Sequence, residues 1–193
     1  KTLILAGTNT EKLAITQAIR GKLKDEGGLG ATANITQLQA KNLTLVQMRY
    51  THNFELGDVV MPTRNYKRRG LEKGKLYEVV GKDIDRLTLK APDDGKCFVI
   101  DTIFEKAVYQ RDQIEIAVGD RLQWKKNNRQ LERRNGQEFL VTAIEGDHVQ
   151  IQYLDSNRTE IINLQQAHNL DYALVSTIYN SQGKTANQAL IAA

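Results

Sequence analysis

The chain has little of what disulfides, metal clusters and membrane spans require. Its 193 residues contain one cysteine, Cys97, which excludes an internal disulfide, and its three histidines are too scattered to predict a metal-ligand cluster. No run of about 18 apolar residues occurs, and Leu3–Ala6 is too short for the apolar core of a signal peptide. We therefore expect no membrane insertion, no metal site and a reducing, cytoplasmic setting.

What is present instead is a duplication in the middle of the chain. Gly57 matches Gly119 and Gly74 matches Gly136, and both pairs are 62 residues apart, so the two copies align without a gap. A fixed period of this kind indicates a repeated structural unit. The other matched pairs are Asp58 and Asp120, Tyr77 and Phe139, Val79 and Val141, Asp85 and Asp147, Leu87 and Val149, Leu89 and Ile151, and Ile100 and Ile162.

Each copy has the pattern of a small β unit with about four or five short strands. A Gly-Asp pair opens the first strand, and a turn with glycine precedes an apolar strand, Leu76–Val80 in the first copy and Phe139–Ile144 in the second. This pattern predicts two small curled barrels of the SH3 type. The alternative that stays open is that the copies form the two halves of one antiparallel sandwich.

The two ends of the chain have a different pattern. Leu3–Ala6 is typical of a buried strand, and Glu11–Lys24 has the spacing of a helix that Thr8, Asn9 or Thr10 could cap. The terminal run Ala189–Ala193 is typical of another strand, and we expect the chain to be a piece of a longer polypeptide. The apolar stripe predicted for the helix consists of Leu13, Ala14, Ala18 and Leu23.

The segments beside the copies are less regular. We predict a strand near Ile35–Leu38 and then a helix that begins at Thr44, where Gln47 completes a capping pattern. Phe104–Gln113 is predicted as a strand or a strand pair with a turn at Gln110–Asp112, and the segment that starts at Asp171 is predicted as a short helix or turn.

Both copies carry basic residues in the loop that follows their first strand. The net charge is only +4, but clustered cations on matching loops predict patches that bind phosphate. Tyr66 and Trp124 lie beside these loops and could stack on bases, with a core or rim role as the alternative. The basic candidates are Arg64, Lys67, Arg68 and Arg69 in the first copy and Lys125, Lys126, Arg129, Arg133 and Arg134 in the second.

The two ends also carry a resemblance to a family. The segment Ala173–Thr185, with Ser-Gln-Gly-Lys-Thr at its end, resembles the Ser-Gln-Gly-x-Thr motif of superfamily 1 DNA helicases. Leu3–Asn9, followed by a helix with the pair Ile19-Arg20, resembles the start of the second motor domain of those helicases. The Gly-Asp and Asn-Gly pieces of the second copy are similar to the β-barrel insertion of that domain. The most similar subgroup is the conjugative relaxase–helicases, with bacterial repair helicase subunits as near relatives.

The resemblance implies roles for particular residues. Ser181, Gln182 and Thr185 would hydrogen-bond to a DNA strand or a nucleotide, in addition to the basic residues and Trp124. The nucleotide cleft of the parent protein would be bordered by Thr8, Asn9, Arg20, Gln182 and Gly183. In the relaxases an equivalent segment is implicated as a signal that a type IV secretion system recognises, so the resemblance implies a secretion coupling protein as a further partner.

The departures from the family bear on catalysis. The chain has no Gly-x-x-x-x-Gly-Lys-Ser/Thr phosphate loop, because Gly183-Lys184-Thr185 follows Ser-Gln and lacks the first glycine. The acidic magnesium motif, the arginine motif and the tyrosines and histidine cluster of the relaxases are absent too. We therefore expect the chain itself to be inactive and to hold no cofactor, with ATP and Mg²⁺ bound only by an intact parent helicase.

These inferences combine into one prediction. The fold class is α/β (α+β): both termini, 1–53 and 166–193, form a partial α/β motor subdomain, and two SH3-like repeats, 54–115 and 116–165, are inserted between them. The function is a monomeric, non-catalytic, single-stranded-DNA-binding fragment of a conjugative relaxase or DNA helicase, whose parent would be exported by type IV secretion. The alternatives are a protein-interaction module or a fragment of a bacterial repair helicase subunit.

Overall fold

The structure is a computed structural model that describes residues 2–181 and 187–191. Its helices are α1 (Asn9–Asp25) and α2 (Ile178–Ser181), with 3-10 turns at Gln47–Arg49, Thr51–Asn53 and Lys67–Arg69. Its strands are β1 Thr2–Ala6, β2 Thr32–Ala40, β3 Val59–Pro62, β4 Tyr77–Lys82, β5 Arg86–Lys90, β6 Cys97–Asp101, β7 Lys106–Ala117, β8 Arg121–Trp124, β9 Glu138–Glu145, β10 His148–Tyr153, β11 Thr159–Asn163, β12 Leu170–Tyr172, β13 Val175–Thr177 and β14 Gln188–Ile191.

The predicted α/β fold class is wrong, because the structure is mostly β. Among the described residues, 46% lie in strands and 15% in helices, and the strands form three sheets. The sequence prediction gave the helical pattern of the ends too much weight. Only α1 is a long helix in the described ranges, whereas the segments around Thr44 and Asp171 do not form the helices that an α/β subdomain would require.

The smallest sheet is parallel and joins the two ends of the chain. Its order is β13-β1-β14, and β1 is parallel to both neighbours. Leu3 is opposite Ala189, and Ala6 is opposite Thr177. The predicted strands at both ends are therefore confirmed, and they lie side by side.

The other two sheets contain the two copies. The second copy (Ile116–Leu164) lies in a five-stranded antiparallel sheet of order β11-β10-β9-β8-β12, and the first copy (Leu56–Ile103) in a six-stranded sheet of order β2-β7-β3-β4-β5-β6. Each copy has its own hydrophobic cluster, around Tyr77 and Leu89 in the first and around Phe139 and Ile151 in the second. Each copy thus has a core of its own, which the one-sandwich alternative does not predict.

The matched glycines explain why the copies fold alike. Gly57 and Gly119 both have a positive φ, 89° and 95°, which is open to glycine and strained for other residues. The Gly57 amide donates to the carbonyl of Val79 at 2.8 Å, and the Gly119 amide donates to that of Val141 at 2.9 Å. The two copies therefore begin with the same backbone hydrogen bond, as their matched sequences predict.

The chain divides into two compact units. One contains residues 1–36 and 113–193, with the parallel sheet, α1 and the second copy, and the other contains residues 37–112, with the first copy. The chain passes from one unit to the other within β2 and within β7. The three-part division by repeat boundaries at 54, 116 and 166 stays a prediction.

Helix α1 begins as predicted but buries another face. Thr8 is its N-cap, and Thr8 and Glu11 form a capping box. The buried residues of the helix are Lys12, Thr16 and Arg20, whereas Leu13, on the predicted apolar stripe, is 50% exposed. The prediction of the stripe was wrong because carboxylates of the same unit pair with the two buried cations, which makes the polar face the packed one.

Two other local predictions also need correction. The turn at Gln110–Asp112 is absent, because β7 continues through this position as a strand beside β2. The side chain of Gln110 donates to that of Gln39 at 2.8 Å. The capping pattern of Thr44 and Gln47 is present, with backbone-to-side-chain bonds of 2.9 and 3.2 Å, but it starts a 3-10 turn rather than an α-helix.

Helix length and the grouping of acidic, histidine and cysteine side chains were compared with what a membrane span and a metal site require. None of their helices has both the length and the apolar character that a membrane span would need. Within the same ranges, no three His, Cys, Asp or Glu side chains are grouped as they would be to hold a metal ion.

Candidate nucleic-acid interface

The parallel sheet brings the two helicase-like segments to one edge. Strands β1 and β13 run in the same direction and end opposite each other, at Ala6 and Thr177. The first strand is followed by Thr8, the N-cap of α1, and by Asn9, the first residue of that helix. The second strand is followed by α2, which ends at Ser181. In open parallel sheets, ligands bind outside the carboxyl ends of the strands.

At this edge the polar groups bind one another. The amides of Gly7 and Thr8 donate to the Glu11 carboxylate at 2.9 and 3.0 Å, and the Thr8 hydroxyl accepts from the Glu11 amide at 3.1 Å. The Ser181 hydroxyl donates to the carbonyl of Ile178 at 2.6 Å. The predicted residues Gln182, Gly183 and Thr185 lie outside the described residues.

Arg20, predicted to border the nucleotide cleft, is used inside its own unit. Its guanidinium donates to both carboxylate oxygens of Asp120, at 2.9 and 2.8 Å, and lies 4.9 Å from the centre of the Tyr172 ring. Burial opposes its charge, but the hydrogen bond with Asp120 and the nearby charges raise the pKa of Arg20 above its usual value. With 7% of its surface exposed, Arg20 has little room for a ligand and instead holds α1 against the second copy.

The basic loop of the first copy contains both paired and unpaired cations. Arg64 binds the Tyr66 hydroxyl at 2.9 Å, and Arg69 binds Asp101 at 2.7 Å. Lys67 and Arg68 are exposed, and no ion pair in the described part of the chain involves either of them. These two side chains are therefore open to a phosphate.

The basic loop of the second copy is more strongly bound to carboxylates. Arg133 pairs with Glu160, and Arg134 pairs with Asp155 at 2.6 Å. Arg129 is exposed and takes part in no ion pair among residues 2–181 and 187–191. Lys125 is exposed and Lys126 is half-buried in the same loop.

The Glu160 carboxylate is the centre of this pairing. It accepts from Arg133 Nε at 3.0 Å and from the hydroxyl of Tyr153. Burial works to raise the pKa of Glu160, but the hydrogen bonds from Arg133 and Tyr153 lower it below the usual value. Glu160 therefore stays ionised and holds Arg133 in place.

Trp124, for which base stacking was predicted with a core or rim role as the alternative, is a core residue. Its ring is 1% exposed, lies 4.7 Å from that of Phe139 and donates from Nε1 to the Tyr153 hydroxyl at 3.1 Å. Burial therefore excludes stacking of a base on Trp124. The alternation along β8, in which Leu122 and Trp124 share one face, is the signal that could have identified this role.

The structure also contains a groove that sequence reasoning missed. It lies in the unit of residues 37–112, beside β6, and has a volume of about 390 Å³. The lining includes Arg86, Phe98 and Val99, none of which belongs to a sequence motif. Only the comparison of the two copies could have pointed to these residues. Its lining consists of Arg68, Arg69, Asp85, Arg86, Phe98, Val99, Ile100 and Asp101.

Comparison with known proteins gives matches among solved structures. No protein-family model and no curated protein matches the chain. Among solved structures, it is similar to the Pif1 helicase from Bacteroides in complex with ADP-AlF3 and ssDNA (14% identity, TM-score 0.23), with 99% of this chain and 34% of that chain covered. It is also similar to unliganded Pif1 from Bacteroides sp (13% identity, TM-score 0.23), with 99% and 34% covered.

A third match is to two coordinating Pif1 helicases that unwind forked dsDNA, with 14% identity, a TM-score of 0.22, and 98% of this chain and 32% of that chain covered. The chain thus spans about a third of the length of these helicases. The matches are to helicases, and none of those named here is a conjugative relaxase.

Proposed function

We propose that this chain is a non-catalytic segment of a DNA helicase that binds single-stranded DNA. The observation that carries the proposal is the position of β1 between β13 and β14. The two segments that resemble helicase motifs are about 170 residues apart in the chain. They nevertheless leave the same edge of one parallel sheet, as two parts of a single ligand-binding edge would.

The amides of Gly7 and Thr8, directly before α1, donate to the Glu11 carboxylate. No group of three or more His, Cys, Asp or Glu side chains that could hold Mg²⁺ occurs in the described ranges. In an intact parent helicase, ATP and Mg²⁺ would be held by other segments, and Thr8 and Asn9 would border that site.

Binding of DNA is assigned to the exposed cations. Lys67 and Arg68 in the first copy and Arg129 in the second have no acidic partner among the described residues, so a phosphate does not need to displace one. Each cation that neutralises a phosphate releases condensed counterions, so the affinity should fall as salt rises. Contacts to phosphates carry no sequence information, so binding should be independent of sequence.

The test is the fluorescence anisotropy of a labelled 15-nucleotide oligothymidine titrated with the full chain at low and at high salt. We expect binding at low salt that is lost as salt rises. The double variant Lys67→Gln/Arg129→Gln should lower the slope of log affinity against log salt by about 1 to 2.

The matched control is Arg111→Gln/Arg121→Gln, which removes the same charge from residues paired with Glu78 and Glu138. This control should bind nearly as the unaltered chain does. Failure of the unaltered chain to bind at low salt would remove the proposal.

A finer part of the proposal is the conjugative relaxase–helicase parentage and recognition by a type IV secretion coupling protein. Its support is the sequence resemblance alone. Charge reversal at the basic loops separates the two roles: if plasmid transfer fails while DNA affinity is unchanged, the loops serve protein recognition. The residues to reverse are Arg68, Arg69, Arg133 and Arg134.

A further inference from the structure

The groove beside β6 is shaped by the 3-10 turn at Lys67–Arg69. Arg69 Nη1 binds the Asp101 carboxylate at 2.7 Å and the carbonyl of Ile103 at 3.2 Å, which fastens the turn to the end of β6. Gly70 follows with φ of +69°, and a Cβ at this position would lie 2.4 Å from Cε1 of Phe98. The turn can approach the aromatic ring this closely because residue 70 has no side chain.

The charges in the groove are unevenly paired. Arg69 is matched by Asp101, but no ion pair among the described residues involves Arg68. Arg86 has only a 4.0 Å contact with Asp85, its neighbour in the chain. Two guanidinium groups are thus available on a surface that also holds apolar side chains.

The apolar part of the groove consists of Phe98 and Val99. Phe98 packs edge-on against Tyr77, with ring centres 6.0 Å apart, so its ring is held in position. Val99 is 62% exposed although it lies within a strand. Phe98 and Val99 are consecutive in β6, so their side chains point to opposite sides of the strand. The ring of Phe98 beside the cations is the surface on which a base can rest while its phosphate is neutralised.

The second copy has different residues in the same region. There Arg158 donates to the carbonyls of Leu131 and Glu132 at 2.8 and 3.1 Å, and Arg133 binds Glu160, so the turn is tied to β11 by charged groups. With the 62-residue offset, the corresponding residues of the first copy are Lys96, Leu71 and Phe98 in place of Arg158, Arg133 and Glu160. The first copy therefore has an aromatic ring where the second has a pairing carboxylate.

We propose that this groove holds one phosphate and the adjoining base of a single DNA strand, with Arg68 and Arg86 on the phosphate and Phe98 against the base. The inference rests on the proposed function and locates part of the DNA binding in the groove beside β6. The volume of about 390 Å³ suits one nucleotide, and two guanidinium groups match the oxygens of a phosphate.

Cys97 provides a reporter for occupancy. It is the sole cysteine of the chain, it is exposed, and it directly precedes Phe98. The rate at which an aromatic disulfide reagent modifies its thiol can be followed with and without a 15-nucleotide oligothymidine. We expect the oligonucleotide to slow the modification at low salt and to lose this effect at high salt.

Two variants test the phosphate contacts. Arg68→Gln and Arg86→Gln should each weaken oligonucleotide binding about 3- to 10-fold at low salt and lower the salt slope by about 1. Each should also reduce the protection of Cys97. Both side chains are at the groove surface, and circular dichroism checks that the variants are folded. The matched control, Arg111→Gln, removes one charge from the same unit and should leave protection unchanged.

The outcomes separate this inference from the proposed function. If the unaltered chain does not bind the oligonucleotide at low salt, the proposed function fails. If it binds, but Arg68→Gln and Arg86→Gln match the control and Cys97 is not protected, only the groove is overturned. Protection of Cys97 by a poly-glutamate peptide and not by the oligonucleotide would overturn it too, in favour of a peptide that pairs with the edge strand β6. Photocross-linking of a 5-bromodeoxyuridine oligonucleotide to the peptide that contains Phe98 would support it independently.

Discussion

The two copies share a backbone but stabilise the same turn by different means. The bridge between Tyr66 and Leu71 in the first copy has its counterpart between Asn128 and Arg133 in the second, 62 residues on. In the first copy this turn packs its apolar side chains against Phe98, and in the second its cations bind Glu160. The same backbone therefore accommodates either apolar side chains or an ion pair beneath this turn, provided that every buried group has a partner.

The copies agree where the chain enters them. Asp58 and Asp120 are both buried, and each accepts the backbone amide three residues before it, at 2.9 and 2.7 Å. Each also binds a cation from another element, Lys41 at 2.8 Å and Arg20 at 2.8 Å. These aspartates are therefore structural in both copies.

The largest expected difference between the copies is the cost of losing this aspartate. Asp120→Ala should lower the free energy of unfolding by about 3–5 kcal/mol, because it leaves the buried Arg20 without its partner. Asp58→Ala should cost about 1–3 kcal/mol, since the side chain of Lys41 is 18% exposed, against 8% for Arg20, and can reach water. The measurement is denaturant unfolding followed by circular dichroism and by the fluorescence of Trp124, which reports on the second copy. An equal or larger loss for Asp58→Ala would break this part of the comparison.

The second prediction concerns replacing the ion pair of the second copy by the apolar residues of the first. Glu160→Ala should cost about 2–4 kcal/mol, because it leaves Arg133 half-buried without its carboxylate. The double variant Arg133→Leu/Glu160→Phe reproduces the residues of the first copy and should recover most of that loss. Trp124 fluorescence during unfolding measures both, and Arg133→Leu alone completes the cycle. A double variant no more stable than Glu160→Ala would mean that the apolar pair cannot replace the ion pair at this turn.

The third prediction separates the copies by pH. Lys106 and His168 are 62 residues apart, and both are buried at 6% and 5% exposure. Lys106 donates to the carbonyl of Thr102 at 2.6 Å, and the imidazole of His168 binds the carbonyl of Asn163 at 2.8 Å. Burial lowers the pKa of Lys106 from 10.5 to about 8 and lowers the pKa of His168 below 6.5.

Because both folded-state pKa values are depressed, the unfolded chain binds more protons, and stability rises with pH within each window. The unit of residues 37–112, which contains Lys106, should gain stability, on the order of 2 kcal/mol, as pH rises from about 8 to 10.5. The unit that contains His168 should lose stability as pH falls through 6.5. Urea unfolding across pH 5 to 10.5 tests this. Lys106→Met should remove the pH dependence of the unfolding free energy in the high-pH window, and His168→Gln should remove it in the low-pH window. A slope that survives Lys106→Met would assign the high-pH window to other groups.

The smallest effect concerns the turn itself. Gly70 has φ of +69°, and Glu132, its counterpart, has φ of +51°. Gly70→Ala should cost about 1–2 kcal/mol from the left-handed backbone alone, and the approach to Phe98 adds to this. Glu132→Gly should be neutral or stabilise the second copy by up to about 1 kcal/mol. Thermal unfolding measures both, and a stabilising Gly70→Ala would contradict the matched geometry.

Several features could be predicted from the sequence because they depend on neighbours along the chain. The capping box of Thr8 and Glu11 and the strand at Leu3–Ala6 are examples. The 62-residue duplication is another, since matched Gly-Asp pairs fold alike wherever they occur. The predicted fold class failed because the strength of a local helical pattern says little about how much of the chain becomes strand.

The candidate site could be predicted only in part. The basic loops were found from composition, but nothing in composition distinguishes Arg68 from Arg133, which has Glu160 beside it. The role of Arg20 depends on Asp120, 100 residues away, and that of Phe98 on the close approach of Gly70. Contacts between residues so far apart in the chain are determined by tertiary packing, and they leave no local pattern in the sequence.

By itself, the sequence of this protein determined the two matching β units, their glycine turns and the cap of the first helix, because backbone sterics and short-range hydrogen bonds act between near neighbours. Only the tertiary structure decided that the two chain ends share a parallel sheet, that Trp124 is buried, and which cations are left open to a phosphate. The reason is physical: a charge is neutralised, or a ring is covered, by whatever the folded chain brings within a few ångströms of it.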